Sequence, residues 1–170
     1  MRHRRIGSTD LVVTEVGLAV GPLVGGPGAR SDEEVAGLLA AALDLGIAYF
    51  GATDSDDGGR AEELLGQALY GHRDEVTVAT TFGYDTTPRP WEPAPAPLRR
   101  HDWSAPFAAK ALDRSLQRLR LEPIDLWLLH HPDMDAIESD ELFEFLEAQV
   151  SKGKVRAYGV ALGPGPGWAD

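Results

Sequence analysis

The chain has 170 residues, 43% of them hydrophobic, the length and composition of one domain with a core of its own. Its 27 acidic residues against 16 Lys plus Arg leave a net charge of −11, which disfavours nucleic acid and anionic membranes as partners and favours solubility. The absence of cysteine removes disulfides, thiolate catalysis and Cys-ligated zinc, and fits a cytoplasmic protein.

The opening MRHRRIGSTD is basic but lacks the apolar stretch of a signal peptide, and no apolar run reaches the roughly 20 residues of a membrane span. LVVTEVGLAVG (11–21) is a β-rich run ending in glycine. SDEEVAGLLAAALDLG follows, with Ser31 and Glu34 in capping-box spacing and Val35, Leu38, Leu39, Ala42 and Leu43 as a helical stripe. IAYFGAT (47–53) reads as a buried strand, RAEELLGQALYG (60–71) as a helix and VTVATTFG (76–83) as a third strand. Residues 84–103 contain five prolines, which exclude helix and central strand, so this stretch is expected to be one long loop, either a lid or a disordered linker. SAPFAAKALDRSLQRLR (104–120) is a helix capped by Ser104, and IDLWLLHH (124–131) a continuous apolar strand of the kind covered on both faces. SDELFEFLEAQVSKG (139–153) is a fourth helix and VRAYGVAL (155–162) a fifth strand.

Strands alternating with helices across short turns predict a parallel α/β fold. Five strands and four helices make a single domain over 1–170, little more than half of a (β/α)8 TIM barrel, with the Pro-rich segment as an insertion.

Over residues 1 to about 162 the chain resembles the aldo-keto reductase superfamily. The residues that carry the likeness are RRIGSTDLVVTEVGLAVGPLVGG, GRAEELLGQAL, LDRSLQRLRLEPIDLWLLHHPD and VSKGKVRAYGV, in that order. The resemblance implies a TIM barrel that binds NADPH and reduces carbonyls with an aspartate, a tyrosine, a lysine and a histidine. Aligned without a gap, the aspartate position is held by Gly51, the tyrosine position by Asp56 and the lysine position by Thr81, while His130 matches the histidine. The serine and asparagine that hold the nicotinamide amide in the family are matched by Ala161 and Leu162, and the family's main phosphate and adenine contacts come from the last third of its barrel. These departures imply that NADPH binding and reductase chemistry are lost, leaving no cofactor.

What remains at the strand ends suits acid–base work. His130 is the expected acid or base, with Asp56 or Asp54 as its partner, and Thr81, Tyr84, Trp91 and Trp103 are expected to contact substrate. The expected activity is therefore a non-redox cyclase, dehydratase or isomerase acting on an apolar, polyketide-like biosynthetic intermediate. The alternative is a non-catalytic pseudoenzyme serving as a binding or scaffold protein, and behind both stands a residual NADPH-dependent carbonyl reductase. Alternation along 124–131 directs Leu126, Leu128 and His130 to the barrel interior and Trp127, Leu129 and His131 to the helices, so the two histidines are not expected to share a metal. Asp54, Asp56, Asp57, His130 and Asp133 have no metal-ligand spacing, and the glycines of 17–28 lack the lysine and spacing of a phosphate loop. An open half barrel has two unpaired edges, from which a homodimer is expected.

Overall fold

The computed structural model describes residues 1–25, 27–86 and 100–163. The chain opens with an antiparallel hairpin of β1 (His3–Arg5) and β2 (Val12–Thr14). Strand β3 (Leu18–Ala19) passes through the single turn α1 (Gly21–Val24) to helix α2 (Asp32–Asp44). Strand β4 (Tyr49–Gly51) leads to α3 (Arg60–Ala68). Strand β5 (Thr77–Phe82) leads to a short ribbon, β6 (Tyr84–Asp85) and β7 (Arg100–His101), and then to α4 (Ala105–Leu119). Strand β8 (Ile124–His130) is followed by the turn α5 (Met134–Ile137), by α6 (Asp140–Ser151) and by β9 (Val155–Ala161).

The five parallel strands form one sheet in the order β3-β4-β5-β8-β9, each joined to its neighbour through a crossover that carries helix. This is the expected partial (β/α)8 barrel, with β3 and β9 as its two edges. The four long helices begin close to where the sequence places them. Ser31 forms the predicted capping box, accepting from the Glu34 N–H while Glu34 accepts from the Ser31 N–H, and Ser104 accepts from the Phe107 N–H. Val35, Leu39 and Ala42 are buried as expected, but Leu38 is exposed because it sits at the margin of that stripe.

The two faces of the sheet have different partners. Phe50, Val78, Phe82, Trp127 and Leu129 pack against the helices in the main core, where Phe82 and Trp127 stack with ring centroids 3.9 Å apart. On the concave face a smaller cluster joins Leu11 of the hairpin to Ala79 and Leu126, with Tyr49, Leu128 and Ala157 around it. The hairpin therefore closes one end of the concave face. Two threonines hold it there: Thr77 Oγ1 donates to the Val12 carbonyl and Thr14 Oγ1 accepts from the Ala48 N–H. The other end, where the parallel strands finish, stays available for function.

The expectation of one unbroken loop over 84–103 needs correction. Both ends of that stretch pair with each other, Tyr84 with His101 and Asp85 with Arg100, and residues 87–99 lie outside the described residues. Proline bars a central strand but does not bar a two-residue ladder on either side of the proline run. Among the described residues no helix is long and apolar enough to cross a membrane.

Candidate functional site

Strand alternation sends Ala79 and Thr81 of β5 and Leu126, Leu128 and His130 of β8 to the concave face, as the sequence predicts. At the strand ends Thr81 Oγ1 lies 3.2 Å from His130 Nδ1, a hydrogen bond that orients the imidazole. Tyr84, one turn of chain beyond β5, stands edge-on to His130 with ring centroids 4.8 Å apart. Its hydroxyl is 3.0 Å from His131 Nδ1, and its ring lies 4.4 Å from that of His101.

His131 departs from the expected orientation toward the helices. Its φ of 55° puts it in the left-handed region, which breaks the alternation that holds through His130 and swings its ring to within 4.3 Å of the His130 ring. The backbone around it is tied down, since its N–H donates to the Ala161 carbonyl at 2.8 Å. Glycine at 163 leaves room for the ring, because a Cβ there would sit 3.2 Å from it. His101 and His131 are thus site residues that sequence reasoning missed. A positive φ at a histidine has no period-two signature, and His101 reaches Tyr84 only through the ribbon. Among the described residues no group of three or more His, Cys, Asp or Glu is placed to hold an ion.

Of the other expected site residues, Trp103 supports the ribbon. It lies across Gly83, whose φ of +127° a side chain would rarely adopt, stacks on His101 and meets Phe82 edge-on. Trp91 lies outside the described residues. Asp56 receives the space left by Gly21, where a Cβ would fall within bonding distance of its carboxylate. Asp54 is tied to both neighbours of its loop, its N–H donating to the Thr81 carbonyl at 3.3 Å. Its carbonyl accepts from Arg118 Nη1, and its carboxyl is buried, with Oδ1 lacking a hydrogen-bond partner. Burial pushes that carboxyl up to about 7, with the negative charge of nearby Glu62 adding to the effect and Arg114 and Arg118 opposing it. Glu62 is itself buried and raised for the same first reason, opposed by the Thr80 hydroxyl (2.7 Å) and Arg118 Nη1 (3.2 Å), which donate to it. The loop after β4 is therefore built over two buried carboxyl groups, with the Arg118 guanidinium bonded to the Glu62 carboxylate and to the Asp54 carbonyl.

The floor between β4 and β9 is made of small residues. A Cβ placed on Gly51 meets nothing within 4 Å, and one on Gly159 meets only Leu128 Cδ2 at 3.2 Å. Gly51 also borders a cavity of about 720 Å³ on the hairpin side, lined further by Tyr49, Gly17 and Ala19. The polar and aromatic groups collect instead at the strand ends.

Three comparisons bear on what this site does. A 6-dehydroglucose reductase of Novosphingobium aromaticivorans is 37% identical over 159 residues, covering 85% of this chain and 48% of that protein. Aldo-keto reductase yakc [NADP(+)] of Schizosaccharomyces pombe is 31% identical over 136 residues, covering 79% of this chain and 38% of that protein. Among solved structures, the holo form of aldo-keto reductase AKR11C1 from Bacillus halodurans superposes with a TM-score of 0.83 at 28% identity, over 95% of this chain and 50% of that one. The chain spans about half the length of the curated relatives it matches, or less.

These relatives overturn two expectations. A non-redox cyclase, dehydratase or isomerase, or a pseudoenzyme, is not supported, because the relatives are named as reductases. A site without a cofactor is contradicted too, since one relative carries NADP(+) in its name and a structural neighbour was solved in holo form. The departures at Gly51, Asp56 and Thr81 leave in place the phenol of Tyr84 and the imidazoles of His101, His130 and His131 at the strand ends. The model of the aldo/keto reductase family matches residues 18–164, and the chain belongs to that family.

Proposed function

We propose that the chain forms the carbonyl-handling side of a nicotinamide-dependent oxidoreductase site, with NADP(H) as cofactor and a small carbonyl or alcohol as substrate. The observation that carries this reading is His130, held through Nδ1 by Thr81 at the end of the fourth parallel strand, in a chain matched to an oxidoreductase family over 18–164. The open floor at Gly51, Gly159 and Ala161 suits a flat ring lying against the strand ends, so these residues would hold the nicotinamide by contact. Bound there, the cofactor supplies the hydride. His130 orients the carbonyl oxygen, and the bond from Nδ1 to Thr81 leaves its other ring nitrogen for that purpose. Tyr84 and His101 wall the site on the ribbon side. Asp54 and Asp56 shape the loop that closes the β4 side.

The reading extends to partners and place. The exposed Val160 and Leu162 at the β9 edge suit pairing with a second copy into a homodimer, and a cysteine-free acidic chain suits the cytoplasm. Titrating NADPH into the protein and following its fluorescence tests the cofactor, and NADPH consumption with 4-nitrobenzaldehyde tests the chemistry. Binding in the micromolar range with turnover that falls about 10²–10⁴-fold in His130→Gln supports the reading. Neither binding nor turnover in the wild-type chain rejects it.

A further inference from the structure

Carbonyl reduction needs a hydride at carbon, from reduced nicotinamide, and a proton at oxygen. The described strand-end groups offer few sources for that proton. The Asp54 carboxyl lies in the buried pair with Glu62, the Asp56 carboxylate sits against Gly21, and Thr81 carries an aliphatic hydroxyl, a very weak acid. Tyr84 is different: it is a phenol, it stands over His130, and its hydroxyl is hydrogen-bonded to a second imidazole.

We infer that Tyr84 is the proton donor of the carbonyl reduction and that His131 is its positioning residue and proton relay. This inference rests on the oxidoreductase reading above. As hydride reaches the carbonyl carbon, the Tyr84 O–H bond breaks and a new O–H bond forms on the substrate oxygen held by His130. The phenolate left behind is reprotonated through His131, whose Nδ1 is 3.0 Å away. Two features of the chain are otherwise unexplained and fit this role. The first is the positive φ of His131, a conformation that costs energy for a non-glycine residue and is held by the bond to the Ala161 carbonyl. The second is the ribbon: pairing of Tyr84 with His101 fixes the phenol where a loop would leave it to wander. The ring contacts to His101 and His130, at 4.4 and 4.8 Å, leave the phenol little freedom to turn away.

The test uses the full chain with NADPH and 4-nitrobenzaldehyde, and compares wild type with Tyr84→Phe and His131→Gln. Tyr84→Phe is expected to bind NADPH within about twofold of wild type while turnover falls about 10²–10⁴-fold, the range for loss of a positioned acid. In the cofactor-free protein the ¹⁵N resonances of the His131 imidazole should move in Tyr84→Phe, because the hydroxyl partner of Nδ1 is gone. His131→Gln, which keeps the phenol, should retain more activity than Tyr84→Phe and lose an ionisation from the pH–rate profile. An active wild type with an equally active Tyr84→Phe variant overturns the assignment and leaves the oxidoreductase reading standing. Unmoved His131 resonances overturn it independently of any turnover, and a wild type that neither binds nor oxidises NADPH removes the reading and this inference together.

Discussion

Replacing Asp54 by asparagine should stabilise the protein at neutral and alkaline pH and leave its stability in acid unchanged. Asp54 is buried, its Oδ1 has no hydrogen-bond partner, and burial raises its carboxyl from the ordinary 3.8 to about 7. The folded chain therefore holds this proton more tightly than the unfolded chain does. Below about pH 4 both states carry it, and the favourable contribution is complete. As pH rises through about 7 the folded state is forced to ionise the group in place, and the contribution is lost. At 1.36 kcal/mol for each tenfold change in proton affinity, the full difference is about 4 kcal/mol. Most of it develops between about pH 4 and 7, where the unfolded chain has lost the proton and the folded chain still holds it. Asparagine keeps the shape and the backbone bonds of the loop, including the N–H donated to the Thr81 carbonyl at 3.3 Å, and removes the charge that sits beside Glu62. Urea unfolding followed by the fluorescence of the buried Trp127 measures this directly. The wild-type stability should fall across the window while that of Asp54→Asn falls less, so the two curves separate as pH rises. Parallel curves, or a variant less stable than wild type at pH 8, would falsify the argument.

Other outcomes follow from close approaches in the same structure. In Gly66→Ala the new methyl would lie 2.5 Å from the carbonyl oxygens of Arg118 and Leu119, backbone atoms that cannot swing aside, so α3 and α4 must separate; a loss of about 1–3 kcal/mol is expected despite alanine's better helix propensity, and an unchanged thermal midpoint rejects it. In Gly83→Ala both the φ of +127° and the Trp103 ring are in the way, so Trp103 should be displaced and its emission shifted to the red, with a wild-type spectrum counting against the packing. Light scattering at micromolar concentration should give the mass of two chains, and a single-chain mass with cooperative unfolding would mean that the β3 and β9 edges need no second copy.

Most of the fold is legible in the sequence because its signals are local and repeated. The Ser31–Glu34 capping box, the stripe from Val35 to Ala42 and the apolar run of 124–129 each specify an element with little help from the rest of the chain. The ribbon of β6 and β7 was hidden for the opposite reason. Two-residue strands have no periodicity, and prolines between them suggest a loop that the ladder contradicts only at its ends.

The site was legible in one part and obscured in another. His130 could be placed because strand alternation and a strand end are enough to locate it, and the structure returns it beside Thr81 as that pattern requires. Tyr84 and Trp103 are named by the sequence as substrate contacts, but what fixes them is a backbone exception each, the ribbon with His101 for Tyr84 and a glycine at 83 that admits its ring for Trp103, while the place of His131 depends on a left-handed φ that no sequence pattern signals. Those exceptions all converge on one patch at the strand ends. Comparing Gly51, Asp56 and Thr81 with the family one position at a time treats each function as fixed to its place in the chain. Chemistry instead depends on which groups reach the reacting atoms, and the stretch after β5 brings a phenol to the strand ends beside His130. Loss of a side chain at one position therefore supports loss of activity only after the space around it has been searched for a substitute, and here that space contains Tyr84.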